Sequence, residues 1–175
     1  VRYNEGNPDW DNGKLTGDIL IDPSVVKADE TVHIYVFQGT QKSSEENPRY
    51  FVADNSKYNL LVVYFDPSGS YEENLGIHNW GGWTEEATTW NEPLKVFSTG
   101  GETTAGVAVK VAMLHANQNE GSVPDAGFLV YFGDGDNSKK TGDAKLRSAI
   151  GEEAELGTTG MAYIVSKGNG YTAGD

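Results

Sequence analysis

The stretch Val107-Ala108-Val109-Lys110-Val111-Ala112-Met113-Leu114 decides the fold class. Val107, Val109, Val111 and Met113 fall on one side of an extended chain, and Ala108, Lys110 and Ala112 fall on the other. Period two marks a strand, because successive side chains leave it on opposite faces. The heavier side is expected to face the core. Seven more short apolar runs, at 32–37, 50–53, 60–65, 76–80, 95–98, 127–132 and 161–166, are separated by Gly, Asn, Asp, Ser and Thr. Strands at regular spacing with turn residues between them predict an all-β fold, an immunoglobulin-like antiparallel β-sandwich. The one helical candidate, 144–156, contains Gly151 and reads as loop with a helical turn.

Composition narrows the function. The chain has 175 residues, enough for one domain with a sizeable core, and carries 13 basic and 26 acidic residues for a net charge of −13. That charge repels phosphate backbones and anionic lipid, which argues against nucleic-acid and membrane partners. No apolar run approaches the roughly 20 residues that span a bilayer. Cysteine is absent, so neither disulfides nor thiolate chemistry are available. The chain opens on Val1 and reads as a piece of a larger protein.

An internal repeat organises the chain. With Asn7 to Trp10 treated as an insertion, 1–18 aligns with 130–143, and eight of fourteen pairs are identical: Val1, Gly6, Asp11, Asn12, Lys14, Thr16, Gly17 and Asp18. Further on, 33–39 resembles 162–168. Residues 1–57 therefore read as the C-terminal half of a module, packing on a complete β-sandwich at 58–175. The alternative is a circularly permuted unit formed by 1–129.

The candidate site lies in Asn74-Leu75-Gly76-Ile77-His78-Asn79-Trp80-Gly81-Gly82-Trp83. Tryptophan on a polar, glycine-rich segment leaves a large apolar face wet unless a ligand or a partner covers it. Flat aromatic faces beside polar groups suit a sugar ring. The bland alternative is that the rings plug the end of the sandwich.

With these motifs placed, residues 59–175 resemble the family 41 carbohydrate-binding modules of bacterial pullulanases. The likeness rests on the strand and turn at 61–70, Tyr71, the segment Leu75-Gly76-Ile77-His78-Asn79-Trp80-Gly81-Gly82, Trp90-Asn91-Glu92-Pro93-Leu94, and Gly127-Phe128-Leu129-Val130-Tyr131-Phe132-Gly133-Asp134. The resemblance implies a secreted or cell-surface module, without catalytic activity, that binds α-glucan polysaccharides as part of a multi-module chain. His78, Trp80 and Asp134 keep the family pattern, whereas Leu75 stands at its first Trp and Phe132 at its Lys. Trp83 and Phe132 are then candidates to supply the missing face. The expected ligand-binding set is Trp80, Trp83, His78, Tyr71, Phe132, Asp134, Lys139 and Trp10.

Each residue has a plainer reading. His78 could be bonded locally on the sheet, Trp90 could pack the sandwich end, and Trp10 could staple the two segments. Asp134-Gly135-Asp136-Asn137-Ser138 has the alternate oxygens of a calcium loop, but Lys145 stands where such a loop ends in Glu. An Asp/Gly/Asn turn needs no metal, so no cofactor is expected. No G-x-S-x-G, H-E-x-x-H or phosphate loop is present, and the acidic runs Glu45-Glu46 and Glu152-Glu153 read as solvated surface. A structural spacer without sugar binding is the competing reading.

Overall fold

The computed structural model describes residues 21–26, 28–37, 50–71, 73–103, 105–131 and 140–165. The described residues form nine strands: β1 (Ile34–Tyr35), β2 (Phe51–Val52), β3 (Tyr58–Phe65), β4 (Gly76–Trp80), β5 (Ser98–Glu102), β6 (Ala108–Ala116), β7 (Gly127–Tyr131), β8 (Ala144–Lys145) and β9 (Thr159–Val165). They make a four-stranded sheet in the order β5-β6-β3-β9, a three-stranded sheet β4-β7-β8, and a two-stranded sheet β1-β2. Besides a short 3-10 turn at Pro23–Val25, the described residues form one α-helical turn, α1 (Leu146–Ile150), which stops at Gly151, whose φ of +86° suits glycine.

The fold is all-β, and the two larger sheets face each other across one core. Tyr58, Leu60, Val62 and Tyr64 of β3, Ala112, Leu114 and Ala116 of β6, and Ala162 and Ile164 of β9 line one side. Ile77, Phe128, Val130 and Ala144 line the other. Two details differ from the sequence expectation. The sandwich is not wholly antiparallel, because β3 pairs with β9 in parallel, Asn59 opposite Thr159 through Phe65 opposite Val165. The heavier side of β6 is also not the core side: Ala112, Leu114 and Ala116 point inward. The small volumes of Ala116 and Ala112 match larger partners, since Tyr58 lies directly opposite Ala116 and Val62 opposite Ala112. Alternating large and small residues fill a core at native density.

The opposite side of the four-stranded sheet is apolar too. Register places Met161, Leu61 and Met113 in one row and Tyr163, Val63 and Val111 in the next. Leu61 and Val111 are fully buried although they point away from the core cluster. The β1-β2 segment meets this side: Phe37, edge-on to Phe51, approaches Gly100 beside Val111. A Cβ at Gly100 would sit 2.0 Å from Val111 Cγ2, so β5 approaches β6 only because that side chain is absent. This is also why β5 was misplaced in sequence: Ser98-Thr99-Gly100-Gly101-Glu102 carries no apolar run to announce a strand.

His115 ties these layers together. Its ring lies 3.5 Å from Glu85, and its backbone N–H donates to the same carboxylate. The Glu85 hydrogen bond raises the His115 pKa above its ordinary 6.5 despite burial; burial pushes the Glu85 carboxyl up, but its hydrogen bonds, that with His115 foremost, hold it below its ordinary 4.5. A raised histidine stabilises most when both states are protonated, and that gain is lost as pH rises through the folded value. A lowered carboxyl gives the opposite sign on the acid side. Stability from this pair is therefore expected to be greatest between the two ordinary values and to fall as pH rises above the ordinary histidine value of 6.5. Urea denaturation of the parent and of His115→Gln checks this: the variant should lose the decline, and equal slopes in both would refute it.

Candidate functional site

Alternation along β4 sends Ile77 into the core and His78 and Trp80 to the outer face of the three-stranded sheet. The same rule on β7 sends Phe128 and Val130 inward and Gly127, Leu129 and Tyr131 outward. Register then builds rows: Trp80 opposite Gly127 and Lys145, and His78 opposite Leu129. The Trp80 indole lies over Gly127, where a Cβ would come within 2.4 Å of Cε2 and 2.5 Å of Nε1. Glycine is thus the residue that lets Trp80 lie on the sheet.

The rings continue into a strip. His78 is 5.7 Å from Trp80 and 5.2 Å, edge-on, from Trp90, centroid to centroid. Trp90 stacks on Tyr131 at 4.4 Å with 24° between planes. Trp90 reaches this face because the following residues run along the edge of β4, where Leu94 and Ile77 exchange backbone hydrogen bonds and Pro93 fills the space above Gly76. Trp80, His78 and Trp90 are each half-buried. Lys145 Nζ lies 5.8 Å from the Trp80 ring centre and Lys140 Nζ 5.7 Å from that of Trp90, so a cation sits against a ring at each end.

His78 Nδ1 is 2.8 Å from the Thr88 hydroxyl, which also accepts from the Asn79 N–H. Burial lowers the His78 pKa, Asp143 opposes the shift, and Lys140 adds to it. At neutral pH the ring is uncharged and keeps one nitrogen as donor and one as acceptor. The strip therefore combines flat apolar faces with the ammonium groups of Lys140 and Lys145 and a neutral imidazole.

Trp83 is not part of it. Between Trp80 and Trp83 the chain leaves one sheet for the other: Gly81 has φ +88°, and Trp83 is bridged to Ala116 of β6. Trp83 is 6% exposed, stands edge-on to Phe128 in the core, and donates its indole N–H to the Gly127 carbonyl at 2.8 Å. The expectation that Trp83 offers a stacking face is corrected by this burial; Trp90 is the ring beside His78. Leu75 likewise belongs to the core. Tyr71 also lies elsewhere, edge-on to Tyr64, with its hydroxyl donating to the Ala108 carbonyl and accepting from the Asp66 N–H. It ties the turn after β3 to β6. Trp10, Phe132, Asp134 and Lys139 lie outside the described residues, as does the calcium-like segment 134–138. Among the described residues, no group of three or more His, Asp or Glu is placed to hold a metal ion, and no helix is long and apolar enough to cross a membrane.

Sequence reasoning named Trp80 and His78, which lie side by side on this face, and gave Trp90 mainly to packing. Lys140 and Lys145 were missed as site residues because only the register of β7 with β8 and with Lys140 brings them to this face. Comparison with protein-family models gave no match, and searches of curated proteins and solved structures found no similar chain.

The two tryptophans of this motif should respond differently to truncation. Trp83→Ala is expected to destabilise by about 3–5 kcal/mol, as for a core aromatic. Trp80→Ala should cost far less. Gly127→Ala should destabilise by about 1–3 kcal/mol through overpacking and shift Trp80 fluorescence. Thermal denaturation followed by tryptophan emission checks all three.

Proposed function

We propose that this chain is a non-catalytic carbohydrate-binding module for α-glucans such as starch, glycogen or pullulan, working within a larger secreted or cell-surface bacterial protein. The observation that carries the reading is the strip Trp80-His78-Trp90 on the outer face of the three-stranded sheet. A sugar ring has apolar C–H faces and hydroxyl edges. Successive faces can rest on the two indoles while hydroxyls meet His78, Lys140 and Lys145. Charge-assisted bonds from the lysines are stronger than neutral ones. An overall charge of −13 is no barrier to an uncharged polysaccharide. The choice of α-glucan rests on the sequence resemblance, with Trp90 taking the stacking role that Leu75 lacks.

The burial of Trp83 favours a second reading, a structural spacer, because it removes one of the two rings that the sequence offered to a ligand.

Affinity electrophoresis in gels containing amylopectin, pullulan, xylan or no polysaccharide separates the two readings. Retardation by amylopectin and pullulan alone is expected. Trp80→Ala and Trp90→Ala should each weaken it by about tenfold or more, the loss of a binding hot spot. Equal mobility in all gels would leave the spacer reading.

A further inference from the structure

Beyond Trp80 the outer face gives way to an open recess of about 450 Å³, within the size range of small-molecule sites. It lies between the turn at Gly81 and Gly82 and the loop that joins β6 to β7, and it is lined by Asn117, Gln118, Asn119 and Asp125. Its floor is tightly built. A Cβ at Gly81 would lie 2.6 Å from the Asp125 carbonyl oxygen, and one at Gly82 2.6 Å from Pro124 Cβ. The Asn117 N–H donates to the Gly82 carbonyl at 2.9 Å. The two glycines let the loops close on each other and fix the height of the polar rim.

Three of the rim side chains, Asn117, Gln118 and Asp125, each make a hydrogen bond through one polar atom. Lys57 donates to Asn117 Oδ1, which leaves the Asn117 amino group as a donor. Gln118 Nε2 donates to the Tyr58 hydroxyl at 3.4 Å, which leaves Oε1 as an acceptor. Lys145 donates to Asp125 Oδ1 at 3.1 Å, which leaves Oδ2 as a second acceptor. The same Lys145 ammonium lies against the Trp80 ring, so one side chain borders both the strip and the recess. Donors and acceptors fixed side by side match neighbouring hydroxyls, each of which both donates and accepts.

We infer that this recess is a second sugar subsite, in which Asn117, Gln118 and Asp125 bind the vicinal hydroxyls of the glycan residue next to the one on Trp80. The inference rests on the carbohydrate-binding reading and extends it. The strip supplies apolar contact that any glycan with flat faces can use. The recess supplies hydrogen bonds that depend on the orientation of adjacent hydroxyls, so it sets which sugars are accepted. A site built to hydrogen-bond a hydroxyl rejects analogues that lack it more strongly than an apolar surface can.

Titration of the ¹⁵N-labelled chain with maltoheptaose tests both together, following the indole N–H groups of Trp80 and Trp90 and the side-chain amides of Asn117 and Gln118. Movement of both sets is expected. Asn117→Ala and Asp125→Ala should then bind maltoheptaose about 3–10-fold more weakly, one lost hydrogen bond each, while the indole shifts on binding persist. Movement of the indoles alone, or unchanged affinity in both variants, would overturn the recess and keep the strip. Movement of the amides without the indoles would support sugar binding in the recess and overturn the strip. No movement in either set at millimolar maltoheptaose would overturn both.

Discussion

Gly127 stands between two tryptophans, and the arrangement of both faces depends on it. Trp80 lies over its Cα on the outside, and Trp83 donates its indole N–H to its carbonyl from within. Any side chain at this position would strike Trp80. The two indoles are three residues apart in sequence and on opposite sides of one strand. The crossing at Gly81 and Gly82 makes this possible, because both glycines pass too close to Asp125 and Pro124 to carry a Cβ. One tryptophan thereby closes the core and the other is delivered to the surface.

The two sheets use their outer faces differently. That of the four-stranded sheet is apolar, with Leu61 and Val111 fully buried, and the β1-β2 segment packs near them. That of the three-stranded sheet carries half-buried rings, a neutral histidine and two lysines. The His115–Glu85 pair joins the first face to the 81–94 connection, whose far end delivers Trp90 to the second. The segment that supports the strip is thus anchored at one end by the hydrogen-bonded Glu85–His115 contact and at the other by backbone pairing of Leu94 with Ile77.

Much of this was legible in the sequence. β4 forms where Gly76 to Trp80 was expected, and β3, β6, β7 and β9 differ from expectation by no more than two residues at either end. Their apolar density fixes them locally. The inward side of β6 was not legible, because the volumes that select small alanines come from Tyr58 and Val62, some fifty residues earlier. Trp83 was misjudged for a similar reason. A pair of glycines after Trp80 signals a turn but not that the chain changes sheets, which is decided by loops forty residues later. Trp80 and His78 could be found from their polar surroundings. The ring and cations that complete the strip are brought in by register, which sequence spacing does not carry.

The parallel pairing of β3 with β9 bears on how the chain acquires its structure. β3 is an inner strand of its sheet, yet its partner on one side lies about a hundred residues further along. Closing so long a loop costs entropy before any contact repays it, which slows folding. While the protein is being synthesised, one edge of β3 stays open until residues 159–165 leave the ribosome. During that interval, the hydrogen-bonding groups along Asn59 to Phe65 can be captured by another strand, and productive folding depends on β9 arriving first.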